Sequence, residues 1–340
     1  MIKTLIADDS KTVCSIVSQV LKSDGRFEVC GTAFNGKEAV ELNRSTNPDL
    51  IIMDLNMPVM NGIGATRIIM SESTPAVIAF STEDAASVGY ECIEAGALEM
   101  IPKPDFLEEN DSFMKDFLDR LSLIAQMHMK VLPARKALQK NAQHGEKYEL
   151  LVIGSSTGGP SAVQRLLSGL KKDFPVPVLI TQHIDAFFDV QFVNWLNQTT
   201  ELKVQLAEDL TFPEKGNVYV APADRHLTVE RSGDTDGKPV LRLSDAAPVH
   251  FLKPAVDMLF KTASQVYREK LMAVLLTGMG RDGAEGCVQI VKNGGYTIAE
   301  AEESCVVFGM PKAAIDEGGA KSVLPLEDIA GFLNTKIRGL

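Results

Sequence analysis

Two blocks of the chain alternate short runs of aliphatic and β-branched residues with longer stretches in which apolar positions recur every three or four residues. This patterning predicts βα units wound around a parallel sheet. In the first block the apolar runs fall at 4–7, 28–32, 50–53, 76–80 and 98–101. The stretch after Asp9 carries Val13, Ile16, Val17, Val20 and Leu21, an i, i+3, i+4, i+7, i+8 stripe that predicts a core-facing helix. Gly25, Gly36, Gly62 and Gly96 fall between elements, where caps and turns belong. In the second block, strand-like runs at 151–154, 178–181, 204–207, 218–220 and 271–277 alternate with helical patterns at 161–170, 190–198, 254–265 and 284–292. Two further runs, 227–230 and 240–243, flank Ser232-Gly233-Asp234-Thr235-Asp236-Gly237 and predict an inserted β-hairpin. Between the blocks, Phe106, Phe113, Phe117, Leu121 and Ile124 predict a closing helix, and 130–147, rich in Lys, Gln, Asn and Ala, reads as a helical or loose linker. The expected architecture is α/β throughout. A five-stranded parallel domain covers 1–125, a linker 126–147, and a second, mostly parallel, doubly wound domain 148–340.

Size and charge fit that picture and narrow the function. A chain of 340 residues is longer than one core usually organises. Its net charge is −11; residues 1–104 hold 8 basic and 14 acidic side chains, net −6, leaving −5 for the rest. Neither part offers the basic surface that nucleic acid or an anionic membrane requires. The five cysteines are scattered and never spaced as C-x-x-C, which fits reduced thiols better than a disulfide frame or a zinc site. Nothing resembles a signal peptide and no apolar run approaches a membrane span, so a cytoplasmic protein without direct membrane insertion is expected.

In an open parallel sheet, ligands bind beyond the carboxyl ends of the strands. In the first domain Asp8 and Asp9 close the first strand, Asp54 the third, Ser81 the fourth and Lys103 the fifth, before Pro104. Singly, each has an ordinary use as cap, turn residue or solvated charge. Together they crowd three carboxylates at one edge, which repel unless a cation neutralises them, and an all-oxygen set suits Mg²⁺. Such a site can take a phosphoryl group onto a carboxylate, and Asp54, alone on the central strand, is the expected acceptor. Residues 1 to about 104 resemble a response-regulator receiver domain, which is flavodoxin-like. The resemblance implies that Asp9 and Asp54 bind Mg²⁺ directly, Asp8 through water, and the Asn56 carbonyl completes the shell, while Ser81 and Lys103 report phosphorylation. Met100 stands three before the lysine, where an aromatic often sits in such domains.

In the second domain Gly154-Ser155-Ser156-Thr157-Gly158-Gly159 lies between an apolar run and an amphipathic stretch, as strand, tight turn and helix. The G-x-S-x-G spacing serves a nucleophile, a phosphate cradle or a structural turn. A nucleophilic Ser156 needs a base and an acid to orient it. Of the five histidines, His128 and His144 lie in the closing helix and linker. His226 starts a hairpin strand and His250 precedes a helix, both placements where a structural or surface role suffices. His183 ends the run 178–181 at the edge where Ser156 emerges. The run 271–277 opens into Gly278-Met279-Gly280-Arg281-Asp282-Gly283, making Asp282 the candidate acid, with a helix N-cap as its alternative role. Backbone N–H groups of that turn, such as that of Met279, could face an oxyanion.

The order Ser156, His183, Asp282 differs from that of α/β-hydrolases and implies convergence. Residues 148–340 closely resemble the catalytic domain of the chemotaxis protein-glutamate methylesterase family, CheB. The resemblance rests on Ile153 through Pro160, Thr181-Gln182-His183, Ala221-Pro222, Asp224-Arg225-His226-Leu227, Thr277 through Ala284 and Val307-Phe308-Gly309-Met310-Pro311. It implies a phosphorylation-regulated hydrolase that removes methyl esters from glutamates of methyl-accepting chemoreceptors and deamidates receptor glutamines. The receptors would be substrate and a histidine kinase the phosphodonor; the ester chemistry would need no cofactor. Joining the two domains suggests obstruction of the serine pocket by the unphosphorylated receiver. The stretch after His183, Ile184-Asp185-Ala186-Phe187-Phe188, lacks the proline-rich continuation expected there. A binding module that has lost catalysis, a nucleotide site at 154–159 and a DNA-binding output are the rivals. The intact serine, histidine and aspartate set opposes the first, the missing P-loop and G-x-G-x-x-G patterns the second, and the acidic composition the third.

Overall fold

The computed structural model describes residues 1–81, 86–103, 111–128, 148–185, 188–233 and 237–338, and the chain divides into two compact units, Met1–Leu132 and Pro133–Leu340. The first unit runs β1 (Ile2–Ala7), α1 (Lys11–Asp24), β2 (Phe27–Ala33), α2 (Gly36–Thr46), β3 (Leu50–Asp54), α3 (Gly62–Glu72), β4 (Ala76–Ser81), α4 (Ala86–Glu94), β5 (Glu99–Pro102) and α5 (Asp111–His128). Its strands form one parallel sheet in the order β2-β1-β3-β4-β5. Every residue of β3 and β4 is buried, as befits central strands covered on both faces. Helix α1 starts where the Ser10 hydroxyl accepts the Val13 N–H and stops at Gly25, whose φ is 75°. It buries Cys14, Val17 and Leu21, while Val13, Ile16 and Val20 of the expected stripe are half-buried, so the core axis of the helix runs through a thiol that the aliphatic pattern left out.

Helix α5 buries Phe117, Leu121 and Ile124 and continues to His128, three residues into the stretch read as linker. The rest of that stretch, 129–147, with His144, lies outside the described residues, as do Phe106, the side chain of Phe113 and the hairpin turn 234–236.

The second unit runs β6 (Leu150–Ser155), α6 (Gly159–Gly169), β7 (Val178–Gln182), α7 (Asp189–Thr199), β8 (Lys203–Leu206), β9 (Asn217–Val220), β10 (His226–Arg231), β11 (Pro239–Ser244), α8 (Val256–Tyr267), β12 (Leu271–Leu275), α9 (Ala284–Lys292), β13 (Tyr296–Glu300), α10 (Met310–Asp316), β14 (Ser322–Leu324) and α11 (Leu326–Arg338). Seven strands form a parallel sheet, β14-β13-β12-β6-β7-β9-β8, and β10 and β11 make the expected antiparallel hairpin. The hairpin belongs to the core: Leu227, Val229 and Leu241 pack with Leu259 and Phe260 of α8 and with Leu150, Val152 and Tyr219 of the sheet.

Both sheets are wound the same way, and this places the chemistry. From β6 in mid-sheet the chain leaves toward β7, β9 and β8 and later returns to β12, β13 and β14 on the other side. Connections from the neighbours β6 and β12 therefore diverge and open a crevice beyond their carboxyl ends. The same reversal falls between β1 and β3 in the first unit. Among the described residues, no helix is long and apolar enough to cross a membrane.

Candidate active site

Ser156 follows β6 at that crevice. In the sheet Ser155 pairs in register with Gln182 and Gly154 with Leu275, so the residues just beyond β6, β7 and β12 are neighbours. The Ser156 N–H donates to the Thr277 carbonyl at 3.0 Å and its carbonyl accepts from Gly159 N–H at 2.7 Å. Helix α6 begins directly behind, with Pro160 in its first turn, and its positive dipole end faces the crevice. Ser155 is fully buried, whereas Ser156 is half-buried, so of the two adjacent hydroxyls only the second is open to a substrate. Gly278 lies against it: a Cβ there would come within 2.7 Å of Ser156 Cβ and 2.3 Å of Met310 Sδ, so only glycine fits.

His183 and Asp282, 99 residues apart, are brought together at 2.8 Å between Nε2 and Oδ2. The same carboxylate accepts from Val256 N–H at 2.7 Å and Asp257 N–H at 2.9 Å. These are the first two amides of α8, whose own N-cap, Ala255, has no side-chain acceptor. Asp282 is thus a helix cap as well as a histidine partner, and the helix it caps is α8 rather than its own, α9, which starts behind Gly283. Burial pushes the Asp282 carboxyl up, but the His183 hydrogen bond and charge together with the two amides outweigh it and hold the pKa below 3.8. With Nε2 engaged, Nδ1 is the nitrogen left to serve a hydroxyl. Among the described residues, no hydrogen bond joins Ser156 Oγ to His183.

Met279 is 40% exposed, and among the described residues no acceptor takes its N–H. Its turn is fastened from below. The Thr277 hydroxyl donates to Thr157 O at 3.0 Å and accepts from Val307 N–H at 2.9 Å, and Gly278 forms a bridge with Phe308. The Thr277 N–H donates to Glu300 Oε2 at 2.8 Å, and Ser304 Oγ to Oε1 at 2.9 Å. Burial pushes the Glu300 carboxyl up to about 7 against those donors. Neither Gln182, Thr277 nor Glu300 was assigned a role from the sequence. Glu300 closes β13, a strand the patterning did not predict.

His226 is fully buried, accepting from Ala255 N–H at Nδ1 and facing Ala247 O at Nε2, which is a structural role. His250 lies 3.5 Å from Asp257. Of the stretch after His183, Ala186 and Phe187 lie outside the described residues, and Phe188 is buried.

In the first unit the expected cluster is assembled at the β1/β3 reversal. Carboxylate oxygens of Asp8, Asp9 and Asp54 lie within 4.8 Å of one another; Asp8 and Asp54 are buried and Asp9 exposed. Lys103 Nζ lies 2.7 Å from Asp8 Oδ2 and 3.0 Å from Asp54 Oδ1. Burial pushes the Asp54 carboxyl up, and the attraction of Lys103 does not offset it. Burial also opposes the Lys103 ammonium, but its contacts with Asp8 and Asp54 prevail and raise its pKa. Asn56 is exposed and its N–H donates to Asp54 Oδ1 at 3.4 Å. Ser81 is fully buried at the end of β4, its carbonyl accepting from Lys103 N–H, and Met100 is half-buried on β5. An all-oxygen donor set with one exposed carboxylate and an unneutralised excess of negative charge fits Mg²⁺.

Known proteins match both units. Residues 151–333 match the CheB methylesterase family and residues 4–110 the response regulator receiver domain. The protein-glutamate methylesterase/protein-glutamine glutaminase of Nitrosospira multiformis is 36% identical over 99% of this chain and 97% of its own length. The protein of the same name from Archaeoglobus fulgidus is 37% identical over 98% of this chain and 99% of its own. The crystal structure of the Thermotoga maritima CheB methylesterase catalytic domain is similar with a TM-score of 0.53 and 40% identity, covering 56% of this chain and 98% of that one. Similar along its full length to such proteins, and carrying the serine turn, the histidine–aspartate pair and the receiver's acidic edge in one polypeptide, the chain belongs to the CheB methylesterase family.

Proposed function

We propose that this protein is a phosphorylation-regulated protein-glutamate methylesterase that demethylates, and deamidates, side chains of methyl-accepting chemoreceptors in the cytoplasm. The labour divides between a receiver over 1–125, a linker over 126–147 and a catalytic domain over 148–340. The observation that carries the reading is the His183–Asp282 contact at 2.8 Å beside the turn that presents Ser156.

In this reading Asp282 holds the imidazole with Nδ1 toward Ser156, and the Ser–His hydrogen bond tightens when substrate excludes water. His183 takes the hydroxyl proton as Ser156 Oγ bonds to the ester carbonyl carbon. The carbonyl π electrons move onto oxygen, where the Met279 N–H stabilises the oxyanion. Collapse breaks the bond to the methoxy group, which leaves as methanol with the proton from His183. Water then gives its proton to His183 and attacks the acyl-serine, returning Ser156 and a free glutamate carboxylate. With a glutamine side chain the first leaving group is ammonia.

Asp54 accepts the phosphoryl group from a histidine kinase. Asp9 and Asp54 would hold Mg²⁺ directly, Asp8 through water, with the Asn56 carbonyl; the ion, when bound, screens the phosphoryl charge. Lys103 provides the second positive charge and Ser81 a hydroxyl that senses the modified aspartate. Phosphorylation of Asp54 raises turnover at Ser156.

Methanol release from a methylated receptor, with Mg²⁺ and with or without a small phosphodonor, tests this. The donor should accelerate the full chain and leave Asp54→Asn unaffected. Ser156→Ala should lower turnover by about 10⁴-fold or more while still taking up phosphate. Undiminished release by Ser156→Ala would overturn the reading.

A further inference from the structure

We propose that Gln182 is a positioning residue that clasps the nucleophile turn to the histidine; this rests on Ser156 and His183 being nucleophile and base. Gln182 ends β7, is 1% exposed, and precedes His183 directly. Its Nε2 donates to Ser156 O and to His183 O, each at 2.9 Å. Its Oε1 accepts from Ser155 Oγ at 2.6 Å. Two carbonyl oxygens can only accept, so the amide orientation is fixed by its partners and both of its N–H groups are used. A single nitrogen therefore ties together the main chains of the two residues whose side chains must exchange a proton.

The turn is built to admit this amide. Across the sheet Ser155 is the register partner of Gln182, so its buried hydroxyl is consumed in holding Oε1, leaving Ser156 for chemistry. A Cβ at position 159 would lie 2.0 Å from Gln182 Oε1 and 2.9 Å from Ser155 Cβ, so Gly159 is the residue that leaves room. The Ser156 carbonyl receives both Gln182 Nε2 and the Gly159 N–H, which sets the pitch of the turn. No carboxylate or aliphatic side chain could replace the amide: the first would face two carbonyl oxygens as an anion, the second would take from the His183 carbonyl its donor and leave the Ser156 carbonyl with the Gly159 N–H alone. Loosening the clasp would let Ser156 and His183 drift apart, and a misplacement near 1 Å costs about 10²-fold in rate.

The test uses the full chain, methylated receptor and methanol release, with Trp195 fluorescence, from the sole tryptophan, to confirm folding. Gln182→Ala should lower kcat about 10- to 100-fold with KM within about twofold. Gln182→Glu should be as impaired near pH 8, where the carboxylate cannot donate, and should recover relative to wild type by about fivefold or more near pH 6, as protonation restores one donor. A folded Gln182→Ala with wild-type kcat, or a Gln182→Glu to wild-type ratio that does not change with pH, overturns the proposal. If Gln182→Ala fails to fold, the Gln182→Glu ratio decides. With Ser156→Ala inactive and the Gln182 variants unimpaired, only the clasp falls; an active Ser156→Ala removes the nucleophile itself.

Discussion

The two sheet edges solve opposite problems with the same residue type. At the β1/β3 edge three carboxylates crowd within 4.8 Å of one another around one lysine, and burial leaves Asp54 above its ordinary pKa. At the β6/β12 edge a single carboxylate, Asp282, receives a histidine and two helix amides and lies below its ordinary pKa. One site keeps negative charge in excess, ready for a cation and a phosphoryl group. The other divides its lone pairs between one imidazole and the two amides that open α8. Environments that push like groups apart in pKa mark divided roles, here modification site against orienting acid.

The sharpest way to break that contrast is Asp282→Asn. The amide would turn an N–H toward one of the two α8 amides or toward His183, and the wrong imidazole tautomer would follow. Turnover should fall about 10⁴-fold with little change in KM, as methanol release would measure. A loss below tenfold would make Asp282 a helix cap alone. In the first unit, Lys103→Met removes the only cation within reach of Asp8 and Asp54 among the described residues. Stability of that unit without Mg²⁺ should fall by about 3 to 5 kcal/mol, read by amide hydrogen exchange, and Mg²⁺ should restore part of it. No loss would mean that the carboxylates are not crowded.

The smallest effect is in pH dependence, where the two carboxylates act with opposite sign. A lowered folded pKa means that Asp282 contributes stability above 3.8 that disappears as pH falls through its folded value. A raised folded pKa means that native Asp54 keeps a proton the unfolded chain gives up, so its contribution declines as pH rises from 3.8 through its folded value. Asp282→Asn and Asp54→Asn should therefore change the slope of stability against pH in opposite directions, each by no more than about 1.4 kcal/mol per pH unit. Trp195 on α7 follows the second unit and hydrogen exchange the first. Slopes of the same sign would dissolve the comparison.

Long, fully buried strands such as β3, β4, β6 and β12 were legible because nothing polar interrupts them, and their carboxyl ends delivered Asp54, Ser81, Ser156 and the turn to Asp282. β13 and β14 were not: the first mixes Tyr296, Thr297 and Glu300 with two apolar residues, and the second is a three-residue edge strand. Missing β13 concealed Glu300, whose place under Thr277 exists only once that strand lies beside β12. Gln182 was visible inside a motif, but its role depends on two carbonyl oxygens from separate chain segments, which no spacing encodes. Asp282 was found through its turn, while its hold on α8 arises from tertiary packing across 26 residues.

The central claim is that the Ser156 hydroxyl, and not its neighbour, is the nucleophile. Reaction of the full chain with a fluorophosphonate, followed by peptide mass spectrometry, tests it directly. The account requires the label on Ser156, suppressed in His183→Ala. A label on Ser155, whose hydroxyl is buried and bonded to Gln182, or labelling that survives the loss of His183 unchanged, would contradict it.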